Sequence, residues 1–320
     1  LWPIPKLEKF LSHVSKAGLR VGIQTNATLI TKKHIELFKR YGVNVGVSVD
    51  GDLEIGISRG FWRADGEPVS IEASRAVVKK VLDNIRAMRE AGINVGVIIV
   101  LSRINFGDSE KVEKLASFIK SLKEAGIDSG RLNPAFNTPY ELKWTELKDG
   151  YVELWYKIRD MDVWYTPYTD FTRALMGRKD TTCWFGGCGF FDTFVWTVLP
   201  DGKLTVCDRV MWLDQYPLRP RDSPLINAQI RTRALLQTEL KNSLNGHLHR
   251  GGCPAESPDG DWRRASRFWR AWVELFDFMA SELLKVAPFL RLTNRYPDKL
   301  EYVEKIDSGC AWDLYNGGWV

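Results

Sequence analysis

The sequence predicts an α/β fold followed by a smaller, cysteine-rich α+β module. In the first half, apolar residues at helical spacing alternate with short runs rich in valine and isoleucine. In the second half, four cysteines stand on turn-rich segments. Alternating strands and helices with right-handed connections form a parallel sheet or barrel, so the first half is assigned to that class.

Four strands are predicted, at residues 19–24, 43–49, 93–101 and 128–133. The second and third are dominated by valine and isoleucine, as in parallel strands that are buried on both faces. A helix precedes each strand, and one already runs through Leu7–Val14, which implies a further strand before it. The helices end at Gly18, Gly42, Gly92 and Gly126. Each of these glycines suits the left-handed position that closes a helix.

Composition narrows the class of protein. The chain has 320 residues, 44% hydrophobic and 27% charged, with a net charge of +5 carried on helices of mixed sign. This pattern disfavours nucleic acid as the main partner and favours an acidic substrate or cofactor. No apolar run is long enough to span a membrane, and Leu1–Phe10 does not have the pattern of a signal peptide, so we expect a cytoplasmic protein without a membrane partner, with a removed signal as the alternative.

Polar residues cluster where the predicted strands end. Gln24 and Asn26 close the first strand, and Ser48 and Asp50 close the second. Further polar residues follow at Ser102–Asn105 and Arg131–Asn133. Ligands bind at the carboxyl edge of parallel strands, so these residues predict a ligand site. For any single one of them, helix capping or turn chemistry is the alternative.

The second half follows a different pattern. Residues 142–161 are predicted to be a connecting helix, and residues 261–286 a Trp-rich amphipathic helix. Residues 190–199 and 203–206 are predicted strands joined by a turn at Pro200-Asp-Gly202. This hairpin brings Cys207 back toward Cys183 and Cys188.

Cys183, Cys188, Cys207 and Cys253 are the predicted metal ligands. Four thiolates on turns can enclose either zinc or an iron–sulfur cluster, and the residues alone leave both open. A fifth cysteine, Cys310, makes the number odd, which disfavours a framework of disulfides.

Three segments carry a resemblance to a known family. They are Gln24-Thr-Asn-Ala-Thr-Leu-Ile30, Val47-Ser-Val-Asp-Gly51 and Arg59-Gly60. Together they resemble the middle of a radical S-adenosylmethionine (radical SAM) enzyme. The C-x13-G-x4-C-D run from Cys188 to Asp208, with the Gly-Gly-Cys-Pro run that ends at Pro254, resembles the SPASM extension of such enzymes. The pattern is most similar to that of anaerobic sulfatase-maturating enzymes.

The resemblance implies cofactors and a module with one auxiliary cluster. An auxiliary 4Fe–4S cluster would be held by the four predicted cysteine ligands. A second auxiliary cluster uses cysteines at positions that are Leu240, Ser243 and His249 here, with Cys310 left to match a late ligand. We therefore predict that the second cluster is lost, and leave open whether His249 or Cys310 binds metal.

The resemblance also assigns residues to the S-adenosylmethionine site and to catalysis. Gln24 and Ser48 match positions that contact this cofactor, and Leu132 matches one that faces its adenine. Arg59 matches the arginine that engages its carboxylate, with Arg63 as the rival because the loop is one residue shorter than the family pattern. Asp208 matches a general base that acts on the substrate side chain, although a turn aspartate is the alternative.

The C-x3-C-x2-C loop that binds the radical SAM 4Fe–4S cluster does not occur in this sequence. We read this as truncation, which leaves a partial (β/α)6 TIM-type barrel without its first two strands, and a chain that does not generate the radical by itself. The predicted organisation is a barrel part with strands 3–6 (1–140), a connecting segment (141–182), a SPASM-like module (183–255), and a C-terminal helix and tail (256–320).

The predicted function is that of a radical SAM oxidoreductase that modifies a peptide or protein side chain. Oxidation of Cys or Ser to formylglycine, or a related peptide modification, is the reaction implied. An electron donor such as a ferredoxin or flavodoxin would be a partner. The alternative is a non-catalytic metal-binding or scaffold protein with a structural Cys₄ zinc site or an electron-carrier iron–sulfur site.

Overall fold

The structure is a computed structural model that describes residues 2–59, 70–177, 197–199, 201–202, 204–205, 207, 209, 224–286, 312–313 and 318–319. The chain forms two compact units, Leu1–Pro167 and Tyr168–Val320. No helix among the described residues has the length and apolar character needed to cross a membrane.

The first unit alternates helices and strands. Its helices are α1 (Ile4–Lys16), α2 (Lys32–Arg40), α3 (Ile71–Glu90), α4 (Ser109–Glu124) and α5 (Trp144–Ile158). Its strands are β1 (Gly22–Thr25), β2 (Asn44–Ser48), β3 (Val95–Leu101), β4 (Ser129–Pro134) and β5 (Trp164–Thr166). The four predicted strands are therefore confirmed, with bounds that differ by a few residues.

The five strands form one parallel sheet in the order β1-β2-β3-β4-β5. Each strand pairs with the next one along the chain, so every crossover runs in the same direction across the sheet. Because such crossovers are right-handed, the connecting helices lie on one face. The other face of the sheet is formed by side chains of the strands.

Local sequence explains where the helices begin and end. Ser70 and Asp108 cap α3 and α4, with their side chains accepting hydrogen bonds from the backbone N–H groups of Ala73 and Lys111. The predicted left-handed glycines are confirmed, since Gly18, Gly42, Gly92 and Gly126 have φ of 71°, 61°, 81° and 78°. Glycine adopts this conformation without the steric cost that a side chain adds.

The fifth strand was missed by the sequence analysis, which treated residues 141–182 as a connecting helical segment. Residues 144–158 are helical as expected, but Trp164–Thr166 then join the sheet beside β4. Tyr165 anchors this short strand, with only 1% of its surface exposed. Its ring lies against the backbone of Gly130, where an added Cβ would come within 2.5 Å of it.

The second unit contains four helices among its described residues: α6 (Tyr168–Leu175), α7 (Pro224–Gln237), α8 (Gly246–His249) and α9 (Trp269–Val286). Its short strands are β6 (Thr197–Val198), β7 (Leu204–Thr205), β8 (Trp312–Asp313) and β9 (Gly318–Trp319). The antiparallel pairing of β6 with β7 confirms the predicted hairpin over its described residues. Gly202 occupies its turn with a φ of 84°.

Arg231 on α7 organises the described part of this unit. Its side chain is almost fully buried, and its guanidinium donates hydrogen bonds to the carbonyl oxygens of Arg250, Gly252, Trp262 and Arg264. Four carbonyl dipoles replace the water that this charge loses on burial. The loop between α8 and α9 is thereby tied to α7.

The predicted helix at 261–286 is correct in its second half and wrong at its start. The helix begins at Trp269, whereas residues 254–260 form two short 3-10 turns. Asp261 instead makes a turn, because its carboxylate accepts a hydrogen bond from the backbone N–H of Arg263. The side chain of Ser266 then accepts one from the N–H of Phe268, just before the helix begins.

Candidate functional site

The two faces of the parallel sheet differ in burial. On the helix-covered face, eight side chains of β2 to β5 are at most 2% exposed: Val45, Val47, Val95, Val97, Ile99, Leu101, Leu132 and Tyr165. The opposite face, which we call the site face, is half-buried or exposed. It comprises Gln24, Gly46, Ser48, Gly96, Ile98, Val100, Arg131, Asn133, Trp164 and Thr166. This face is the one available to a ligand.

Gln24 and Ser48, both predicted to bind the cofactor, lie on the site face. Arg131 and Asn133, two strands from Ser48, share it. Among the described residues, none of these four side chains makes a hydrogen bond or an ion pair. Polar groups on a half-buried surface that have no protein partner are suited to bind a ligand.

Glycines open space between these polar residues. Gly46 and Gly96 are paired neighbours on β2 and β3, and Gln24 is the partner of Gly46 on β1. A Cβ added at Gly46 would meet its nearest atom, the Cγ of Gln24, at 3.5 Å, which is an ordinary contact. Packing within the protein therefore does not require glycine at this position. The absence of a side chain leaves room for a ligand to lie close to the sheet.

Asn26 is exposed just beyond β1 and is engaged locally. Its Oδ1 accepts hydrogen bonds from the backbone N–H and the hydroxyl of Thr28, at 3.2 and 2.9 Å. This is a turn in which an asparagine side chain replaces a backbone acceptor. The contacts observed for Asn26 are those of turn chemistry, and a role in cofactor binding stays a prediction.

Asp50 is 3% exposed and joins the carboxyl ends of β2 and β3. Its Oδ1 accepts a hydrogen bond from the backbone N–H of Val100 at 2.8 Å. The Nδ2 of fully buried Asn105 donates to the carbonyl oxygens of Asp50 and Val100, each at 2.9 Å. The Oδ1 of Asn105 accepts from the N–H of Ser102 at 2.8 Å. These bonds hold the edge of the sheet on which Ser48 stands.

A tight turn carries the chain from β2 to Arg59. Gly51 has a φ of 156°, and a Cβ there would come within 2.3 Å of the Ile55 side chain, so only glycine fits. Arg59 ends the 3-10 segment that begins at Gly56. The side chain of Arg59 and the whole of Arg63 lie outside the described residues, so the choice between them as the carboxylate clamp is not tested.

Leu132 occupies the opposite face from Gln24 and Ser48. Its side chain is 2% exposed and is paired with Ile99 on the helix-covered face. Its carbonyl oxygen accepts a hydrogen bond from the hydroxyl of Tyr151 at 2.8 Å. The structure therefore does not bring the Leu132 side chain together with the polar residues of the site face, and a contact with adenine stays a prediction.

Two of the four predicted cysteine ligands fall within the described part of the second unit. Cys207 is half-buried and Cys253 is buried, and neither forms a disulfide. Cys183, Cys188, Cys310 and the predicted base Asp208 lie outside the described residues. The residues that are described contain no group of three or more metal-binding side chains.

Cys253 lies beside a positive charge that the sequence analysis missed. The Nη1 of Arg209 is 3.8 Å from the Sγ of Cys253, in hydrogen-bonding geometry. Arg209 also donates to the buried carboxylate of Glu256 at 3.1 Å, and Ser266 donates to the other oxygen of that carboxylate at 2.9 Å. A guanidinium held in this way favours the thiolate form of cysteine, which is the form that binds metal. The sequence pattern does not identify Arg209 as part of the site, because its partners Cys253 and Glu256 lie far along the chain.

The positions that correspond to a second cluster are filled by packed, hydrogen-bonded side chains. Leu240 is 1% exposed and packs with Leu235 and Ala265. His249 is fully buried, and its Nε2 lies 3.1 Å from the Oγ of Ser243, while its Nδ1 accepts a hydrogen bond from the N–H of Gly251. Nδ1 is therefore unprotonated, and Nε2 carries the proton. Burial lowers the pKa of His249 to about 3, and the charges of His247 and Arg231 add to the effect.

Comparison with known sequences gives a family match and a related enzyme. Residues 3–122, from α1 into α4, match the radical SAM superfamily. A cysteine-type anaerobic sulfatase-maturating enzyme of Clostridium novyi (strain NT) is 23% identical over 227 residues, which are 66% of this chain. The matched part is 56% of that relative, so the chain spans little more than half of its length.

Several solved structures share the fold. Native anSMEcpe with bound AdoMet (S-adenosylmethionine) and Cp18Cys peptide has a TM-score of 0.68 at 18% identity, over 90% of this chain and 83% of that one. Native anSMEcpe with bound AdoMet has a TM-score of 0.67 at 17% identity, over 90% and 82%. Streptococcus suis SuiB bound to S-adenosylmethionine has a TM-score of 0.51 at 14% identity, over 81% and 61%.

Proposed function

We propose that this chain, a radical SAM protein that resembles the anaerobic sulfatase-maturating enzymes, belongs to an oxidoreductase that abstracts a hydrogen atom from a peptide or protein side chain. The observation that carries the proposal is the site face. Within the stretch that matches the superfamily, Gln24 and Ser48 present polar groups without a partner among the described residues, beside Gly46 on the same face of a parallel sheet.

The residues on this face fit S-adenosylmethionine. The cofactor combines an amino acid, a ribose and an adenine, and when bound to a reduced iron–sulfur cluster it supplies the hydrogen-abstracting radical. Gln24 offers both an amide donor and an acceptor, and Ser48 offers a hydroxyl. Gly46 and Gly96 let a ligand approach the sheet closely. Arg59 is proposed to engage the cofactor carboxylate.

The second unit is proposed to hold one auxiliary 4Fe–4S cluster through Cys183, Cys188, Cys207 and Cys253. The two described members fit the group, since neither forms a disulfide and Cys253 takes a hydrogen bond from a guanidinium. The buried contacts of Leu240, Ser243 and His249 support a module with a single cluster.

The reaction that fits best is oxidation of a Cys or Ser side chain to formylglycine, or a related peptide modification. Oxidising an alcohol to an aldehyde removes two electrons and two protons. When bound, the cofactor would supply the acceptor for one hydrogen atom and the auxiliary cluster the acceptor for one electron, which would pass to a ferredoxin or flavodoxin, while a base of this chain would take the remaining proton. For a cysteine, the same loss of two electrons and two protons would give a thioaldehyde, which water converts to the aldehyde with release of hydrogen sulfide. Asp208, next to Cys207 in the chain, is proposed as the base.

Metal analysis of the whole chain tests the cluster. After anaerobic reconstitution with iron and sulfide, we expect a brown protein with visible absorption and about four irons per chain. Cys207→Ala and Cys253→Ala should both lose most of this iron, whereas Cys310→Ala should keep it. A colourless protein that retains zinc instead would contradict the proposal and support the structural zinc site.

A further inference from the structure

Among the described residues, no acidic group pairs with the charged side chain of Arg131 on β4. It stands half-buried on the site face and makes no ion pair or hydrogen bond there. Two other arginines of the first unit do have acidic partners: Arg40 pairs with Glu8, and Arg103 pairs with Glu146. The site face contains no acidic residue. A guanidinium in this setting is suited to bind an anionic ligand.

The strand register brings Arg131 to the proposed cofactor site. Ser48, Ile98 and Arg131 lie in one row across β2, β3 and β4, and Thr166 on β5 continues it. Neighbouring strands are about 4.8 Å apart, so the Cα atoms of Ser48 and Arg131 are separated by roughly 10 Å. Between them stands only Ile98, over which a long arginine side chain can extend. A ligand that contacts Ser48 is therefore within reach of Arg131.

Asn133 completes the local arrangement. It follows Arg131 on the same face, one row nearer the carboxyl edge, and its amide makes no hydrogen bond among the described residues. A guanidinium beside a carboxamide offers several N–H donors converging on one small acceptor. Arg131 is the one cation among the described residues of the site face. One guanidinium suits one carboxylate rather than the repeated phosphates of a nucleic acid.

We propose that Arg131, assisted by Asn133, binds a ligand carboxylate on the site face. The planar guanidinium fork matches the two oxygens of a carboxylate. The inference rests on the proposed function, because the ligands assigned to this face are an amino-acid-derived cofactor and a peptide. Both carry carboxylates, so the chemistry is common to them and the source is decided by experiment.

Calorimetric titration of the whole reconstituted chain with two forms of the cofactor tests whether the carboxylate belongs to the cofactor. S-adenosylmethionine has a carboxylate, whereas decarboxylated S-adenosylmethionine keeps the sulfonium and the adenosine without it. If the cofactor is the source, Arg131→Gln should weaken binding of the first by about 10- to 100-fold and leave binding of the second unchanged. Arg131→Lys should fall between, because lysine keeps the charge and loses the fork.

A pair of short capped peptides tests whether the carboxylate belongs to the peptide substrate. Both contain one cysteine, and they differ in a single aspartate or asparagine. If the carboxylate belongs to the substrate, Arg131→Gln should weaken binding of the aspartate peptide only, and S-adenosylmethionine should bind as to the parent chain. Arg40→Gln, which alters an exposed ion pair on α2, is the matched control and should change neither titration. The melting temperature of Arg131→Gln should match that of the parent, since the substitution removes no described hydrogen bond.

The outcomes separate this inference from the function on which it rests. Normal binding of every carboxylate ligand by Arg131→Gln would overturn the inference and leave the cofactor assignment standing. If the parent chain binds neither form of the cofactor but binds the aspartate peptide through Arg131, the proposed function fails and the carboxylate site stands. If the parent chain binds no ligand of either pair, both are overturned.

Discussion

The side-chain amide of Asn105 donates a 2.9 Å hydrogen bond to the carbonyl oxygen of Asp50, which lies 55 residues earlier in the chain. The same nitrogen donates to Val100, whose N–H in turn donates to the Asp50 carboxylate. One buried asparagine therefore holds together the carboxyl ends of two neighbouring strands. Ser48, part of the proposed cofactor site, stands on one of them.

Replacing Asn105 should weaken the first unit. Asn105→Ala leaves two carbonyl groups and the N–H of Ser102 without their partner, and each orphaned buried group costs about 1–3 kcal/mol. We expect a loss of about 3 kcal/mol in the free energy of unfolding, measured by urea denaturation. Asn94→Ala removes a hydrogen bond from an exposed asparagine and should cost less than about 0.5 kcal/mol. Equal losses would show that the network does not stabilise the sheet edge.

Adding a side chain at Gly46 should weaken cofactor binding without lowering the stability of the fold. Gly46→Ala adds a methyl group where the nearest atom of the protein would be 3.5 Å away, and alanine restricts the unfolded chain more than glycine does. The melting temperature should hold or rise, while S-adenosylmethionine should bind at least about tenfold more weakly, because its space is reduced.

Gly22→Ala is the control for that change. Gly22 lies near the amino end of β1, and its added Cβ would meet only the carbonyl oxygen of Asn44, at 4.0 Å. Cofactor affinity in this variant should equal that of the parent chain. If Gly46→Ala binds the cofactor normally, the ligand does not lie over this part of the sheet.

Loss of Arg231 should destabilise the second unit. Arg231→Gln removes the donors of four carbonyl groups, all of which belong to the loop between α8 and α9. Breaking a buried charged network of this kind costs about 3–5 kcal/mol. Arg263→Gln removes an exposed ion pair with Asp261 and should leave the stability almost unchanged. Circular dichroism melts of the two variants provide the comparison, and similar melts would refute the role given to Arg231.

His249 should make stability depend on pH. Its folded pKa of about 3 lies below the ordinary value of 6.5, so between these values the unfolded chain binds a proton that the folded chain does not. The contribution is present above pH 6.5 and is lost as the pH falls toward 3, by at most about 1.4 kcal/mol per pH unit. The free energy of unfolding of His249→Gln, measured by urea denaturation at pH 4.5, 5.5 and 7, should lack this part of its pH dependence. Ser243→Ala, which keeps the imidazole, should retain it, and parallel profiles for all chains would contradict the prediction.

Much of the first unit was predictable from sequence because its signals are local. Valine-rich strands, amphipathic helices and closing glycines are read from neighbouring residues, and four strands and their helices were found in this way. The strand Trp164–Thr166 was missed because three residues carry too little periodicity, and its conformation is stabilised by pairing with β4. The start of α9 was misplaced because hydrogen bonds around Asp261 and Ser266 compete with the helix.

The candidate site was only partly predictable, since spacing does not reveal which face of a strand meets a ligand. Arg131 and Leu132 are adjacent in sequence, yet they point to opposite faces. Asp50 and Asn26 were grouped with Gln24 as polar residues at strand ends, but the first joins two strands and the second makes a turn. Such distinctions depend on partners that come from other segments.

By itself, the sequence determined the order of helices and strands, the left-handed glycines that end four helices, the cysteine pattern and the likeness to the radical SAM enzymes. These are properties of short segments, which local conformational preference and residue spacing control. Only the tertiary structure decided which face of the sheet keeps unpartnered polar groups, that Arg131 shares it with Ser48, and that Arg209 lies beside Cys253. These relationships join residues far apart in the chain, and folding brings them together through strand register and burial.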